Sequence, residues 1–592
     1  MLPPSWSRRD RGGALDRYYS EAWDELTAPG SPFAWSTTDV RGVPTRTYDS
    51  APPDLALLWA GAAAHGDADY LVYRDERLTY TETHAAVDAL AAHLASVGVG
   101  HGDRVALAMR NLPEWVVGYW ATVRLGAAVV GMNAWWTGPE MEFGLSDSAP
   151  KVLLCDGERF ERVTPHLDVL RADRSLHVVA TRADGTDLGH DAVHWAGALA
   201  GAVDLPAPPP VAIDTDDDAC VFYTSGTTGH PKGAVLTHRG AVSNLLNLAF
   251  WQTMQASAEA KAVAAGEPPA GSDKQTGDAM PGSVLGVPLF HVTGCNCCLH
   301  PVTAVGGKLV LMHRWNPEVA LELIERERPT TFTGVPTMAR ELINSPDFAI
   351  RDTSSITSLG GGGAAVQPDL VQKIEDRMEG RPSTGYGLTE TNGVITINAG
   401  QYFLAKPASA GSPCPVMEAR IVAEDGTDQP PGGHGELWVR GGNVFRGYLN
   451  RPEANAEALT DGWFHTGDIG YLDEDGFLFL VDRAKDMVLR SGENVYCAEV
   501  EAAIYEHPAV AEAAVFAVPD ERHGEVVGVA VVLLPDAELT AADLQAHTRT
   551  LIAGFKVPEH VWFRDESLPR NANGKFVKRQ LREDLVGTPT AV

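Results

Sequence analysis

Short apolar runs alternate with helical patterns through the first third of the chain, and no other feature limits the possible folds as strongly. The predicted strands are residues 104–109, 127–132, 151–155 and 177–180, and residues 113–125 predict a helix. Strands that alternate with helices favour a sheet covered by helices on both faces. The fold class expected from this alternation is therefore α/β.

The chain has 592 residues, too many for one hydrophobic core, so at least two domains are expected. Its 47 basic and 78 acidic side chains give a formal charge of −31. A surface this acidic disfavours sequence-independent binding to DNA, RNA or anionic lipid, so no nucleic-acid partner is expected. A polyanionic substrate would require positive charge concentrated at its site.

Changes in composition divide the chain into segments. Residues 1–50 are polar and predict a partly ordered leader, whereas residues 51–482 predict a large N-terminal domain that ends in a small β-rich part. Residues 255–283 are rich in Ala, Gly, Pro, Ser and charge, so they predict a flexible surface insertion. Residues 486–592 predict a small and separate C-terminal α+β domain.

No segment predicts export or membrane insertion. The N-terminus, MLPPSWSRRDRGG, carries charge but lacks the apolar core of a signal peptide. The most apolar stretch, residues 115–136, is interrupted by Arg124 and Asn133 and predicts a helix that leads into a buried strand. No transmembrane segment is expected, and the expected location is cytoplasmic.

Cys295, Cys297 and Cys298 form a cluster in the sequence. A metal site would require further ligands at a suitable spacing, and His291 and His300 are near enough to keep that alternative open. Packing of small apolar side chains in a buried segment is the favoured interpretation.

The sequence YTSGTTGHPKG at residues 223–233 has the composition of a phosphate-binding loop. It follows an apolar run that predicts a strand, and its three glycines permit backbone conformations that a Cβ atom would forbid. Hydroxyl groups, backbone amides and Lys232 offer the donors and the cation that a polyphosphate requires. It is not a Walker A loop, because the register from Gly226 places Pro231 where glycine is needed.

This loop resembles the signature of the adenylate-forming superfamily, which includes acyl-CoA synthetases, beetle luciferases and the adenylation domains of peptide synthetases. The resemblance extends from about residue 74 to residue 581, and further motifs follow in the same order. It implies a large N-terminal domain that binds ATP and the acyl group, a hinge at residues 483–485, and a mobile C-terminal domain.

Two further motifs imply the walls of the substrate site. PLFHVTG at residues 288–294 implies an acyl pocket, and His291 stands where amino-acid-activating relatives usually place Asp. A buried ammonium group would lack a partner there, so the acid is expected to have no α-amino group. SLGGGGAAV at residues 358–366, between a predicted strand and a predicted helix, implies a wall beside adenine and the acyl group.

GYGLTE at residues 385–390 resembles the family's nucleotide motif. Tyr386 offers an aromatic face for adenine, and Thr389 offers a hydroxyl for phosphate. Glu390 offers the carboxylate that Mg²⁺ accepts alongside substrate phosphates.

The motifs near the expected domain boundary complete the resemblance. WFHTGDIG implies that Asp468 accepts the ribose hydroxyls, and DRAKDMVLRSGENVY implies that Arg483 contacts ribose and phosphate. Lys485 matches the hinge position, and the turn at residues 491–493 implies a border of the pantetheine channel. In LPRNANGKFVKRQL, Lys575 matches the adenylation lysine.

These assignments fall into three groups. The catalytic candidates are Lys575, Thr389, Glu390 and His291, and the metal candidates are Glu390 and Thr227. The residues expected to bind ATP or CoA are Thr224, Ser225, Gly226, Thr227, Thr228, Gly229, Lys232, Gly362, Gly363, Ala364, Gly385, Tyr386, Gly387, Asp468, Arg483, Lys485, Ser491, Gly492 and Glu493.

The resemblance implies an AMP-forming acyl-CoA synthetase that uses ATP, Mg²⁺ and coenzyme A with a small carboxylic acid. The carboxylate would first be joined to AMP with release of pyrophosphate, and the acyl group would then pass to the CoA thiol. Small residues at positions 360–365 favour a fatty, alicyclic or aryl-alkanoic acid. Delivery to a carrier protein and a non-catalytic ligand sensor remain open alternatives. The sequence is compatible with a homodimer and does not determine the acyl chain length.

Overall fold

The protein is described by a computed structural model. The structure describes residues 14–172, 175–183, 186, 188–189, 192–224, 231–268, 280–363, 366, 368–378, 381–483, 487–490, 493–520, 522–571 and 574–587. Within these ranges, no helix combines the length and the apolar character that crossing a bilayer requires.

The first part of the chain builds a hairpin and most of the first sheet. Its elements are α1 (Ala14–Thr27), β1 (Trp35–Val40), β2 (Val43–Tyr48), α2 (Leu55–Ala62), β3 (Asp69–Tyr73), β4 (Glu76–Thr79), α3 (Tyr80–Ser96), β5 (Arg104–Ala108), α4 (Pro113–Arg124), β6 (Ala128–Gly131), α5 (Gly138–Ser148), β7 (Val152–Asp156), α6 (Gly157–Val163), α7 (Leu167–Arg171), β8 (His177–Thr181), β9 (Ala192–His194), α8 (Trp195–Gly201), β10 (Asp218–Thr224) and β11 (Lys232–Thr237).

The middle of the chain builds the second sheet, to which β3 and β4 also belong. Its elements are α9 (His238–Ala264), β12 (Met280–Leu285), α10 (Val292–Gly294), α11 (His300–Ala304), β13 (Lys308–Leu311), α12 (Pro317–Glu327), β14 (Pro329–Gly334), α13 (Pro336–Asn344), β15 (Ser358–Gly362), α14 (Pro368–Arg377), β16 (Arg381–Leu388), β17 (Gly393–Ala399), α15 (Gly400–Ala405) and β18 (Ser412–Pro413).

A five-stranded β part and a separate C-terminal body follow. The β part, together with one edge strand of the first sheet, contains β19 (Met417–Val422), β20 (Gly435–Gly441), β21 (Gly447–Tyr448), α16 (Pro452–Ala458), β22 (Leu459–Thr460), β23 (Trp463–Leu472) and β24 (Leu478–Arg483). The C-terminal body contains β25 (Val488–Arg490), β26 (Glu493–Val495), α17 (Cys497–Tyr505), β27 (Val510–Asp520), β28 (Gly524–Leu533), α18 (Ala541–Leu551), β29 (His560–Arg564) and α19 (Lys578–Val586).

The expected α/β class and its division into a large and a small part are confirmed. The first sheet has the strand order β21-β11-β10-β6-β5-β7-β8-β9, and the second has the order β18-β17-β16-β15-β14-β12-β13-β3-β4. Helix α4 contacts β5 and β6 of the first sheet and β3 of the second. Because it lies between two sheets, it is apolar nearly all round, with Trp115 and Trp120 fully buried.

The predicted strands and the helix near residues 104–180 are confirmed within one or two residues. The prediction that the glycine run separates β15 from the next helix is wrong, because β15 continues through Gly360–Gly362. A Cβ atom at Gly361 would lie 1.7 Å from the Gly334 carbonyl oxygen on the neighbouring strand β14. The glycines are therefore required by close strand packing as well as by any ligand.

The expectation of a flexible insertion at residues 255–283 is wrong at both ends: residues 255–264 are helical, and residues 280–283 begin strand β12. Helix α9 extends to Ala264, and Ala258 and Ala262 are fully buried. The physical reason is that alanine has the highest helix propensity and that α1 packs along this end of α9. Residues 269–279 lie outside the described residues.

The leader expected at residues 1–50 is structured from residue 14 onward. Helix α1 buries Tyr19 and Ala22, and the ring of Trp23 meets Phe250 of α9 edge to face at 4.8 Å. Strands β1 and β2 form an antiparallel hairpin beside it. This segment is an integral wall of the N-terminal body.

Candidate active site

Strands β10 and β11 close the base of the predicted phosphate loop. They pair antiparallel with Thr224 opposite Lys232, and the Thr224 hydroxyl donates to the Lys232 carbonyl at 3.3 Å. This pairing fixes Lys232 at the exit of the loop. The tip lies outside the described residues, and with it the candidates Ser225, Gly226, Thr227, Thr228 and Gly229.

Glu390 faces the base of this loop through Tyr448. The Glu390 side chain is 8% exposed, and the Tyr448 hydroxyl donates to its Oε1 at 2.8 Å. The Lys232 ammonium lies 5.1 Å from the centre of the Tyr448 ring. Burial and then the charge of Glu390 raise the pKa of Tyr448 well above its ordinary value, so this phenol stays protonated as a donor. Thr389 opens the short turn that carries Glu390.

A web of buried asparagines holds the turn just described. The Asn392 side chain donates to the Asn443 carbonyl at 2.8 Å, and the Asn296 side chain donates to the Asn392 carbonyl at 3.1 Å. Asn443 donates to the Val394 carbonyl at 3.0 Å, and the Val394 N–H donates to Asn244 Oδ1 at 2.8 Å. All four asparagines are fully buried. Losing one of these bonds would therefore leave a polar group unpaired, at a cost of about 1–3 kcal/mol.

No sequence motif pointed to Tyr448 or to these asparagines. Asn392 and Asn443 lie 51 positions apart, and Asn244 and Val394 lie 150 apart, so no short motif joins them. Only Asn392 could have been proposed from the sequence, because it lies two residues after the GYGLTE motif.

Tyr386 and Asp468 meet directly. The Tyr386 hydroxyl donates to Asp468 Oδ2 at 2.5 Å, and the Asp468 N–H donates to the Thr466 hydroxyl at 3.1 Å. Asp468 lies opposite Arg483 in the antiparallel pairing of β23 and β24. An aromatic ring bonded to a carboxylate suits a nucleoside, because the ring can stack on a base while the carboxylate accepts from sugar hydroxyls.

The predicted glycine wall forms where β15 and β16 run parallel. Gly362 lies opposite Gly385, and a Cβ atom at Gly362 would lie 2.6 Å from the Gly385 carbonyl oxygen. A Cβ atom at Gly387 would lie 1.7 Å from a backbone oxygen of β17. Gly363 has φ +88°, a left-handed conformation that favours glycine. Ala364 lies outside the described residues.

Lys575 of the C-terminal body reaches this wall. A Cβ atom placed on Gly363 would lie 3.8 Å from Lys575 Cε, and one placed on Gly574 would lie 2.9 Å from Val335 Cγ2. The turn before Lys575 is closed by its own N–H, which donates to Asn571 Oδ1 at 3.1 Å. The C-terminal body thus docks with the predicted adenylation lysine against the N-terminal site.

His291 lies near Lys575 and is uncharged. Its Nε2 is buried, and it has no hydrogen-bond partner among the described residues. Burial, assisted by the positive charge of Lys575, lowers the pKa of His291 to about 3. A neutral imidazole at this position offers no negative charge to a substrate ammonium group.

The cysteine cluster is packed in the core. Cys295 is fully buried, and its Sγ lies 3.7 Å from Nε2 of His300, whose ring is hydrogen-bonded to the Tyr119 hydroxyl at 2.7 Å. Within the described ranges, no group of three His, Cys, Asp or Glu side chains is arranged to hold a metal ion.

The remaining candidates are placed only in part. Lys485, Ser491 and Gly492 lie outside the described residues. Arg483 ends β24, and Glu493 begins β26 opposite Arg490 of β25, so the two strands frame the predicted turn.

The chain is similar to known enzymes over most of its length. Residues 58–449 match the model of the AMP-binding enzyme family, and residues 499–575 match the model of the AMP-binding enzyme C-terminal domain. A feruloyl-CoA synthase from an Amycolatopsis species is 36% identical over 505 residues, which cover 85% of this chain and 93% of the relative. A long-chain-fatty-acid–CoA ligase from Bacillus subtilis strain 168 is 33% identical over 564 residues, covering 92% and 95%.

A solved structure has the same architecture. ATP-bound MatB from Rhodopseudomonas palustris superposes with a TM-score of 0.76 at 29% identity, covering 89% of this chain and 98% of MatB. Acyl-CoA synthetases use a carboxylic acid, ATP and CoA as substrates. The chain belongs to the AMP-binding enzyme family, within the adenylate-forming superfamily, as an AMP-forming acyl-CoA synthetase.

Proposed function

We propose that this synthetase activates a fatty, alicyclic or aryl-substituted aliphatic acid that carries no α-amino group, and ferulic acid, an aryl-alkenoic acid, is included in this range. The relatives support this range, since one is named for feruloyl-CoA and another for long-chain fatty acids. The observation that supports the proposal is that uncharged His291 lies within the electrostatic influence of Lys575, the lysine that reaches Gly363.

The charge states of Lys575 and His291 favour binding of an anion over binding of a cation. Lys575 brings a positive charge toward the glycine wall, and His291 stays neutral because its pKa is far below physiological pH. A substrate carboxylate is attracted by this arrangement, whereas a substrate ammonium group would meet a cation and no counter-charge. An amino acid should therefore be a poor substrate.

In the proposed first step, one carboxylate oxygen attacks the α-phosphorus of ATP, and the bond to pyrophosphate breaks. Two anions must approach, so the protein contributes position and positive charge rather than covalent chemistry. Lys575 would bridge the carboxylate and the α-phosphate, while Lys232 would hold the outer phosphates. Tyr386 and Asp468 would fix the nucleoside.

Mg²⁺ fits the residues present. Glu390 is a buried carboxylate oriented by Tyr448, and one protein carboxylate with several phosphate oxygens is a usual environment for this ion. Thr227 is the second proposed ligand. When bound, Mg²⁺ would neutralise charge on the outer phosphates.

In the proposed second step, the CoA thiol attacks the acyl carbon and AMP leaves. Lys575 would then no longer be needed, and a rotation about residues 483–485 would replace it with the hairpin of β25 and β26. The C-terminal body has its own apolar core, made of residues from β25 to α19, which is what a rigid rotating unit requires.

The test is pyrophosphate release with ferulate, palmitate and phenylalanine as substrates, each with and without CoA. We expect release with ferulate or palmitate, acyl-CoA formation with CoA, and at least about 100-fold lower kcat/KM with phenylalanine. A preference for phenylalanine would contradict the proposal. Acyl transfer to acyl carrier protein but not to free CoA would instead support the carrier-protein alternative.

A further inference from the structure

A cavity of about 230 Å³ lies beneath the N-terminal hairpin, between β1–β2, β11 and β20. Its charged lining consists of Arg41, Arg239, Arg440, Arg446 and Asp216. The hairpin precedes the residues that match the family model, so this wall is additional to the matched region. None of the active-site groups described above lines the cavity.

The lining is strongly cationic in an acidic chain. Four arginines and one aspartate line it, whereas the whole chain carries a formal charge of −31. Asp216 is shared, because it lies 2.8 Å from Arg239 and 3.8 Å from Arg41. The Arg41 side chain is partly exposed; burial lowers its pKa, Asp216 and Asp218 raise it, and repulsion from Arg446 and Arg239 lowers it further. An added anion would relieve this crowding of positive charge.

The carboxylates that pair with Arg446 and Arg440 are not among the residues that line the cavity. Arg446 pairs with Asp218 at 2.8 Å, and Arg440 pairs with Glu418 at 2.9 Å. These pairs orient the guanidinium groups, and the charge of Asp218 also acts on Arg41. Since a guanidinium group has five donors, such a pair leaves further N–H groups that can bind an oxyanion.

The position of Arg41 is costly for any residue except glycine or asparagine. Val40 pairs with Val43, so Arg41 and Gly42 form a two-residue hairpin turn with φ of +53° and +82°. Turns of this kind favour Asn-Gly or Gly-Gly, because both central residues need positive φ. A glycine at this position is therefore a change that the turn accommodates without strain.

We propose that this arginine cavity binds a phosphoryl anion, either inorganic phosphate or the pyrophosphate that the reaction releases. Four arginines carry more positive charge than a monovalent carboxylate would neutralise, which favours a phosphoryl anion with two or more negative charges. The cavity is smaller than the roughly 300 Å³ at which pockets for whole drug-sized ligands begin, so it suits a small anion rather than a nucleotide.

The experiment must separate this cavity from the phosphate loop. Phosphate and pyrophosphate are titrated separately by calorimetry into the full-length Lys232→Ala protein, in which the loop lacks its cation. Arg41→Gly is then added in the same background. Arg74→Gly is the matched control, because Arg74 has φ +55° and lies outside the cavity.

We expect Arg41→Gly to weaken binding of the titrating anion about tenfold or more, the effect of losing one charge-assisted bond pair, while Arg74→Gly leaves it unchanged. Asp216→Asn should strengthen binding several-fold, because it removes the only lining carboxylate among the residues described. If only one of the two anions binds, that result identifies whether the cavity takes inorganic phosphate or the pyrophosphate that the reaction releases.

Equal affinities in the two glycine variants would overturn the proposal, as would the absence of binding of either anion to the Lys232→Ala protein. Both glycine variants relieve a left-handed backbone and should fold at least as stably as their parent. A fall in melting temperature confined to Arg41→Gly, without loss of anion binding, would show that Arg41 serves only its ion pair.

Discussion

The two bodies that meet at Lys575 hold their functional groups in opposite ways. Glu390 is buried, bonded to Tyr448, and carried on a turn held by asparagines from three distant parts of the chain. Lys575 stands on a local turn whose backbone bonds to Asn571, four residues away. One group is fixed by long-range contacts, and the other depends on where its whole body docks.

This difference separates two tasks. The carboxylate proposed to hold the metal–phosphate complex must keep its geometry until pyrophosphate leaves, which a buried polar web provides. The lysine proposed to act only in the first half-reaction can move with its body, because the bond from its backbone to Asn571 lies within that body. The contrast predicts that substitutions on the two sides affect catalysis differently.

The largest expected effect belongs to Lys575→Ala. It should lower pyrophosphate release about 10²- to 10³-fold, because it removes the cation between two reacting anions. Thioester formation from synthetic acyl-adenylate should stay within about twofold of wild type. Lys578→Ala is the control, since Lys578 pairs with Glu501 inside the C-terminal body at 2.8 Å. Equal loss of both half-reactions would contradict the separation.

Asn392→Ala tests the buried asparagine web that holds the turn of Glu390. It should lower kcat/KM for Mg-ATP about 10- to 30-fold and raise the Mg²⁺ concentration needed, because the turn of Glu390 loses an anchor. Asn398→Ala is matched to it, since Asn398 is equally buried and donates to the Ser409 carbonyl at 3.0 Å. Urea unfolding should show similar destabilisation of both variants. Similar Mg²⁺ profiles would mean that the asparagine web is purely structural.

Acid should destabilise the N-terminal body through its buried histidines. Burial lowers the pKa of His300 to about 3 and that of His238 to about 4, against about 6.5 when unfolded. Below pH 6.5 the unfolded chain therefore binds more protons, and the free energy of unfolding falls by up to about 1.4 kcal/mol per pH unit for each histidine. Urea unfolding of the N-terminal body between pH 7 and pH 5 measures this slope.

A pair of variants assigns this slope to a residue. His300→Gln should reduce the slope by about one proton, whereas Tyr119→Phe should leave it unchanged, because it removes only the hydrogen bond to the ring. An unaltered slope in His300→Gln would assign the acid sensitivity to other groups.

The smallest expected effect belongs to Tyr386→Phe. Removing the hydroxyl that orients Asp468 should raise KM for ATP about three- to fivefold, with little change in kcat, because the aromatic face remains. Tyr471→Phe, on the same strand as Asp468, should leave KM unchanged. A large fall in kcat for Tyr386→Phe would place its hydroxyl in the chemical step instead.

Features that depend on residues close together in the sequence could be predicted from it. Strand β6 and helix α4 follow from apolar patterns, and Glu390 and Lys575 are candidates from motifs that resemble a known family. The helical course of residues 255–264 was not predicted, because an alanine-rich segment with charged residues resembles a surface linker until α1 is known to cover it.

The contacts that orient the site were not predictable in the same way. Tyr448 and Glu390 are 58 positions apart, and only the folding of β21 against β11 brings them together. Arg41 shows the same limit, since its cavity combines a hairpin at the N-terminus with strands from the middle of the chain. Such partners carry no local pattern, so a single sequence does not reveal them.

The pairing of Asp468 with Arg483 places the exit from the N-terminal body beside the proposed ribose site. If the chain turns at the proposed hinge, the C-terminal body would act as a lever whose pivot lies beside the proposed nucleotide site. A swing that starts immediately after Arg483 would carry the distant Lys575 through a long arc while displacing Asp468 hardly at all. The proposed rotation would therefore replace the groups of the first half-reaction with those of the second while Asp468 continues to bind the AMP moiety.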